Sequence, residues 1–290
     1  MSKQQLGQFY TTNHEYILQG MEIPDDVQTI VEPFVGTGDL IDFIGDLDKY
    51  TLETYDIDPK YDGAVKQDTL LHPPDYDDKF VLTNPPYLAR NKNKDKTLYD
   101  KYKCNDLYKC FIVNLIDSNC QGGIIIIPLN FISSIRKADI ELRQRFFNKF
   151  NIDRVNIFEE QVFDDTTYTT CSIQFSTNRA QSTTFDVHIY PQNQTISIDL
   201  NKHNKFTIGG EIYMLQQNPK YKVERATRTR MCPPTRPQSA WPCERQEEPC
   251  RRRGRSARGR SGGRWRRGGQ RDGSSSRWSR NVKAAAYATE

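Results

Sequence analysis

Apolar positions along this 290-residue chain follow two alternating periods, one of two residues and one close to 3.6. "QTIVEPF" (Gln28 to Phe34) is a compact apolar run that predicts a strand. Behind the turn "VGTGD", "LIDFIGDL" repeats its apolar residues at helical spacing. A second strand, "TLETYDID", stops at Pro59, and "KFVLT" gives a short buried strand that runs into "NPPY". The polar, basic stretch "ARNKNKDK" reads as a mobile loop. Helical spacing returns in "LYDKYKCNDLYKCFIVNLIDSN", followed by two glycines and the wholly apolar strand "IIIIP". The helix "KADIELRQRFFNKF" leads into the strand "RVNIFEE", and "YTTCSIQFST" and "TTFDVHIYP" alternate as antiparallel strands do. Strands and helices in this alternation predict an α/β fold: a doubly wound, mostly parallel Rossmann-like sheet covered on both faces, with antiparallel strands at one edge.

Charge divides the chain. Through Glu224, 17 Lys and 6 Arg stand against 32 acidic residues, a net charge of −9; from Arg225 onward, 1 Lys and 17 Arg stand against 5 acidic residues, a net of +13. The change coincides with the end of the periodic apolar runs. Residues 1–224 are therefore expected to form one catalytic domain, and the Arg/Gly/Ser-rich residues 225–290 a disordered basic tail with too few apolar residues to offset the entropy of ordering. The abrupt switch in basic-residue usage resembles an out-of-frame or fused ending. Seven cysteines include no CxxC pair and no histidine cluster beside them, so no metal site is expected. No apolar run approaches the ~20 residues that span a bilayer. With no secretory or transit signal read at the amino terminus, the expectation is a cytoplasmic protein with free thiols, and "NQT" at Asn193 is taken as an accidental glycosylation match.

Ligands of a doubly wound sheet sit beyond the carboxyl ends of its strands, and the unusual residues of this chain fall at those ends. Gly36 and Gly38 allow a tight turn and a close backbone approach, with the carboxylate of Glu32 beside them. Asp56 ends the next strand, where a carboxylate can accept both hydroxyls of a ribose, and Asp68 in "KQDTLL" can accept from an exocyclic amine. Each acid alone is more often a loop cap. Together, after successive strands, they fit an adenosine-containing ligand. No Lys-Ser or Lys-Thr follows the glycine turn, which excludes a phosphate-cradling P-loop.

In "NPPY", Pro85 and Pro86 lack N–H groups and have a fixed φ, so their turn is stiff and its carbonyls face no local donors. Asn84 adds a side-chain carbonyl. Two acceptors in one small region suit a planar amino group, and Tyr87 can lie against the ring bearing it. A chance NPPY is expected on the order of once in a thousand chains of this length.

With these motifs in place, the chain resembles the amino-methyltransferases that use S-adenosylmethionine, and among them the gamma-class adenine-N6 DNA methyltransferases of restriction-modification systems. "NPPY" is similar to that family's catalytic motif, "VEPFVGTGDL" to its glycine motif, and "YDIDP" and "QDTLL" to its ribose- and adenine-binding segments. "GQFYTT" (Gly7 to Thr12) resembles the segment that closes over the methionine moiety. The resemblance covers roughly residues 4 to 190, in the order of the gamma class. It implies S-adenosylmethionine as methyl donor, held by Tyr10, Thr11, Glu32, Phe34, Gly36, Gly38, Asp56, Ile57, Asp68 and Asn84. It further implies catalysis by Asn84, Pro85, Pro86 and Tyr87 on an adenine flipped out of double-stranded DNA. Phe163 would pack on that base, with Tyr168 as the second candidate. A restriction endonuclease of the same system is a further expected partner. The chain departs from the family after Glu224, where a target-recognition domain would stand; that departure predicts impaired targeting. Two rivals stay open: an NPPY methyltransferase of RNA or of a protein glutamine amide, and a catalytically silent nucleic-acid binder dominated by its tail. "RNKNKDK" reads equally as a solvated loop or as a basic flap against phosphates.

Overall fold

The computed structural model describes residues 11–163, 168–177, 182–210 and Met214. Tyr10, the junction at Glu224 and the basic tail lie outside the described residues.

Nine strands form one sheet in the order β3-β2-β1-β4-β5-β7-β6-β8-β9. In chain order they are β1 (Thr29–Glu32), β2 (Thr51–Asp56), β3 (Val65–Lys66), β4 (Phe80–Thr83), β5 (Gly122–Pro128), β6 (Phe150–Phe158), β7 (Thr170–Thr177), β8 (Thr184–Tyr190) and β9 (Gln194–Asp199). The helices are α1 (His14–Ile17), α2 (Thr97–Tyr102), α3 (Leu107–Asp117), α4 (Asn130–Ser133) and α5 (Lys137–Lys149). From β3 through β5 every pairing is parallel, so the carboxyl ends of β1, β2 and β4 share one edge of the sheet. The expected antiparallel strands are present, but their placement is finer than the alternation showed. β7 is inserted antiparallel between β5 and β6, while β8 runs parallel to β6 and antiparallel to the terminal β9.

Period-two alternation sorts the side chains to two cores. Val31, Val81, Ile125, Ile127 and Ile173 join one buried cluster with Phe111, Ile112 and Phe146 from α3 and α5. Ile30, Phe80, Leu82, Ile124 and Ile126 join another with Ile17, Leu18 and Ile41. β5 is buried along its whole length, which is why its sequence is apolar without alternation.

Two expected helices differ. "LIDFIGDL" forms two 3-10 turns, Ile41–Phe43 and Leu47–Lys49, because Gly45 takes a φ of +74° between them and Asp46 caps the second by accepting from the Asp48 N–H at 3.2 Å. The long helix expected from Leu98 onward is broken into α2 and α3. Lys103 adopts a left-handed φ of 54°, and Asp106 in the linker bridges to Ala89, just past the NPPY turn.

Gly122 and Gly123 sit where β5 is squeezed between neighbours. A Cβ on Gly123 would lie 2.3 Å from the Val81 carbonyl oxygen and 3.0 Å from the Phe175 ring; one on Gly122 would lie 2.6 Å from the Phe175 carbonyl. Gly123→Ala is therefore expected to destabilise the fold by about 3 kcal/mol, the upper range for overpacking. Urea denaturation checks this: the midpoint should fall clearly, and more than for Gly63→Ala, where a Cβ meets open space and the φ of +79° alone opposes it.

Candidate functional site

Beyond the carboxyl ends of β1, β2 and β4 lies a cavity of about 320 Å³. At the β1 end, Glu32 is fully buried. Its Oε1 accepts from the Thr83 hydroxyl at 2.5 Å and from the Phe34 N–H at 3.2 Å, so one carboxyl ties the tips of β1 and β4 together. Its Oε2 is buried without a hydrogen-bond partner. Burial pushes the Glu32 carboxyl up to about 8; the bonds from Thr83 and Phe34 pull it down, and the nearby Asp56 adds to the rise.

The glycine turn is built on positive φ at Gly36 (+54°) and Gly38 (+93°). The Gly36 N–H donates to Asp56 Oδ2 at 2.9 Å, and Asp56 Oδ1 accepts from the Asp58 N–H at 2.8 Å, so this acid stabilises two loops as well as facing the cavity. Asp68 accepts from the N–H groups of Leu70 and Leu71 at 3.1 and 3.0 Å, a loop cap that also lines the cavity. The cap reading and the ligand reading of these acids are thus compatible. Phe34, packed edge-on against Phe111 at 5.3 Å, and the exposed Ile57 give the same cavity apolar walls.

Asn84 and Pro86 line the same cavity, together with the buried Thr11. The Asn84 Nδ2 donates to Thr11 Oγ1 at 3.1 Å. Tyr87 is 3 % exposed, and its hydroxyl lies 2.5 Å from Asn84 Oδ1 and 2.6 Å from the Ile126 carbonyl oxygen. Its ring meets Tyr108 and Tyr168 edge-on, at 6.1 and 6.3 Å. Of the sequence-predicted residues, Thr11, Glu32, Phe34, Gly36, Asp56, Ile57, Asp68, Asn84 and Pro86 line one cavity; Gly38, Pro85, Tyr87 and Phe163 do not line it. Phe163 packs in the cluster of Phe158 and Tyr190, whereas Tyr168 is the aromatic set against Tyr87.

Asn93, Asp95 and Leu98 also line the cavity, which the polar composition of their loop concealed. The loop is internally bonded: the Lys96 ammonium donates to the carbonyls of Arg90 and Asn93, and Arg90 pairs with Asp100 at 2.6 Å. Lys92 and Lys94 are exposed between the residues that line the cavity. The loop turns at Asn91 and Lys92 and bends at Lys94, with the Asp95 N–H donating to Asn93 Oδ1 at 3.1 Å, so no periodic signal in the sequence marked Asn93 and Asp95. Among the described residues, no group of acidic, cysteine or histidine side chains could hold a metal, and no helix is long and apolar enough to cross a membrane.

Residues 53–163 match the Eco57I restriction-modification methylase family. The resemblance to restriction-modification methylases is thereby borne out over the segment from β2 past β6, which contains the NPPY turn. No curated protein sequence matches the chain. Among solved structures, the DrdV–DNA complex aligns with a TM-score of 0.50 at 17 % identity, covering 76 % of this chain and 32 % of that one. The modification subunit of a type I restriction enzyme from Vibrio vulnificus aligns with a TM-score of 0.48 at 13 % identity, covering 65 % and 48 %. The type I methyltransferase subunit from Streptococcus thermophilus aligns with a TM-score of 0.46 at 17 % identity, covering 66 % and 50 %. The chain spans half or less of the length of these structures.

A buried acid whose affinity for protons is raised on folding stabilises the protein below its unfolded value, near 4.5, and the contribution is lost as pH rises through about 8. Asp106, pushed up to about 6 by burial, adds to the same slope at lower pH. Thermal melts from about pH 5 to about pH 8 should therefore show stability falling as pH rises, and a shallower fall in Glu32→Gln.

Proposed function

We propose that this chain carries an S-adenosylmethionine-dependent DNA methyltransferase domain that methylates the N6 amine of adenine. The observation that supports it best is the sharing of one cavity by the acidic strand tips and the Asn84–Pro86 turn. Nucleoside recognition and an amine-accepting turn are thereby within reach of one ligand. A volume of about 320 Å³ lies within the range of small-molecule sites. Its lining fits the donor chemically. Ile57 and Phe34 offer apolar surface to a purine, Asp56 and Asp68 offer acceptors to hydroxyls and an amine, and the unpartnered Glu32 Oε2 offers an acceptor to an ammonium group.

When bound, S-adenosylmethionine supplies an electrophilic methyl group on a positively charged sulfur. The residues of this chain supply position. Asn84 Oδ1 and the Pro85 carbonyl accept the two N–H bonds of the target amine, which aims the nitrogen lone pair along one direction. The rigid φ of Pro85 and Pro86 keeps those acceptors from relaxing away. Tyr168, only partly buried and set edge-on against the buried Tyr87 beside the turn, is the aromatic placed to hold the extruded base. The amine proton leaves after the methyl arrives, so alignment carries more of the rate than a strong base would.

Calorimetry with S-adenosylmethionine, together with transfer of tritiated methyl to unmethylated DNA, RNA and protein side by side, tests the reading. Binding and label in DNA as N6-methyladenine are expected, and Asn84→Ala should lower transfer roughly a hundredfold with little loss of donor affinity. Absence of donor binding overturns the proposal, as does label confined to RNA or protein.

A further inference from the structure

The contacts of Asn84 extend the catalytic turn toward a part of the chain that the reaction does not obviously need. Its amide is held at both ends, by Thr11 on the Nδ2 side and by Tyr87 on the Oδ1 side. Thr11 itself is not loosely placed. The piece of chain that follows it is pinned to the far strands: Asn156 Nδ2 donates to the carbonyls of Ile17 and Gln19 at 3.2 and 3.0 Å, and the Ser172 hydroxyl donates to Ile17 at 2.7 Å. Arg154 donates to Asn156 Oδ1 at 2.9 Å and so fixes which end of that amide faces the amino-terminal segment. Asn156 and Ser172 are both completely buried.

The proton count on the Tyr87 side is also informative. One phenolic proton stands between two oxygens that can accept it, Asn84 Oδ1 at 2.5 Å and the Ile126 carbonyl at 2.6 Å. Rotation about the phenolic C–O bond exchanges one acceptor for the other without moving a heavy atom. An arriving amine can therefore take over the Asn84 oxygen while Tyr87 keeps a full hydrogen bond to Ile126, and no buried donor is left unpaired.

We propose that Thr11 is a positioning residue for catalysis: its hydroxyl holds the plane of the Asn84 amide, with the Tyr87 hydroxyl keeping the place of the acceptor amine until that amine binds. This rests on the functional reading above and adds to it. Thr11, which the sequence points to only as a donor-binding residue, sets the acceptor side as well. Removing its hydroxyl takes the Thr11 bond from the amide and loosens its plane, a misplacement that slows transfer more than it weakens donor binding.

The test uses the full chain and the isosteric pair Thr11→Val and Thr11→Ser. Thr11→Val should lower the single-turnover transfer rate about tenfold while donor affinity by calorimetry falls less than about threefold, and Thr11→Ser should return the rate to within about twofold of the parent. Equal losses of rate and affinity in Thr11→Val, or no rescue by serine, overturn the proposal. Side-chain amide resonances give a readout independent of turnover. The Asn84 NH2 pair, assigned by its absence in Asn84→Ala, should exchange slowly with solvent in the parent and in Thr11→Ser and rapidly in Thr11→Val; unchanged protection in Thr11→Val overturns the proposal. A parent chain that transfers no methyl at all, yet shows this exchange pattern, sinks the functional reading and leaves the positioning contact standing.

Discussion

A single carboxyl group without access to water organises the working end of this protein. Glu32 takes the hydroxyl of Thr83 and the N–H of Phe34 on one oxygen, so the end of β1, the start of the glycine turn and the last residue before the NPPY turn are held by one side chain. Burying an acid this deeply is unfavourable unless its bonds are good, and the raised proton affinity of Glu32 reports that tension. Two loops that are about fifty residues apart in the sequence thereby become walls of one cleft.

Around that junction the sheet is packed from both sides with little slack. The paired glycines of β5 admit the backbones of β4 and β7 at distances no other residue would allow, and this lets an antiparallel strand enter a parallel stack. The stiffness has a use further along β5. Ile126, in the middle of β5, presents the carbonyl that receives the Tyr87 hydroxyl, so the packing of the core extends without interruption to the NPPY turn.

Much of this was legible in the sequence because it was written in residue types with few alternative uses. Two adjacent prolines after a buried strand, glycines that need positive φ, and acids at successive strand ends all kept their predicted places. What stayed hidden depended on partners distant in the chain. Gly45 lies within an apolar repeat of helical spacing, yet its φ of +74° splits the segment into two short turns. The left-handed Lys103 carries no composition signal at all. Tyr87 was expected as a flat surface for a base, and its hydroxyl bonds could not be foreseen, because they require knowing that Ile126 lies alongside. Phe163 and Tyr168 were separable only by which core each enters, and Tyr168 is the one set against Tyr87.

The loop after the NPPY turn places its residues on opposite sides in alternation, Asn93 and Asp95 toward the cleft and Lys92 and Lys94 toward solvent. The segment turns at Asn91 and Lys92 and bends at Lys94, and the Lys96 ammonium clasps it by donating to the Arg90 and Asn93 carbonyls. Lining of the cleft and positive charge at the surface are thus carried by the same few residues of one clasped segment, each side chain's place set by the turn that its neighbour makes.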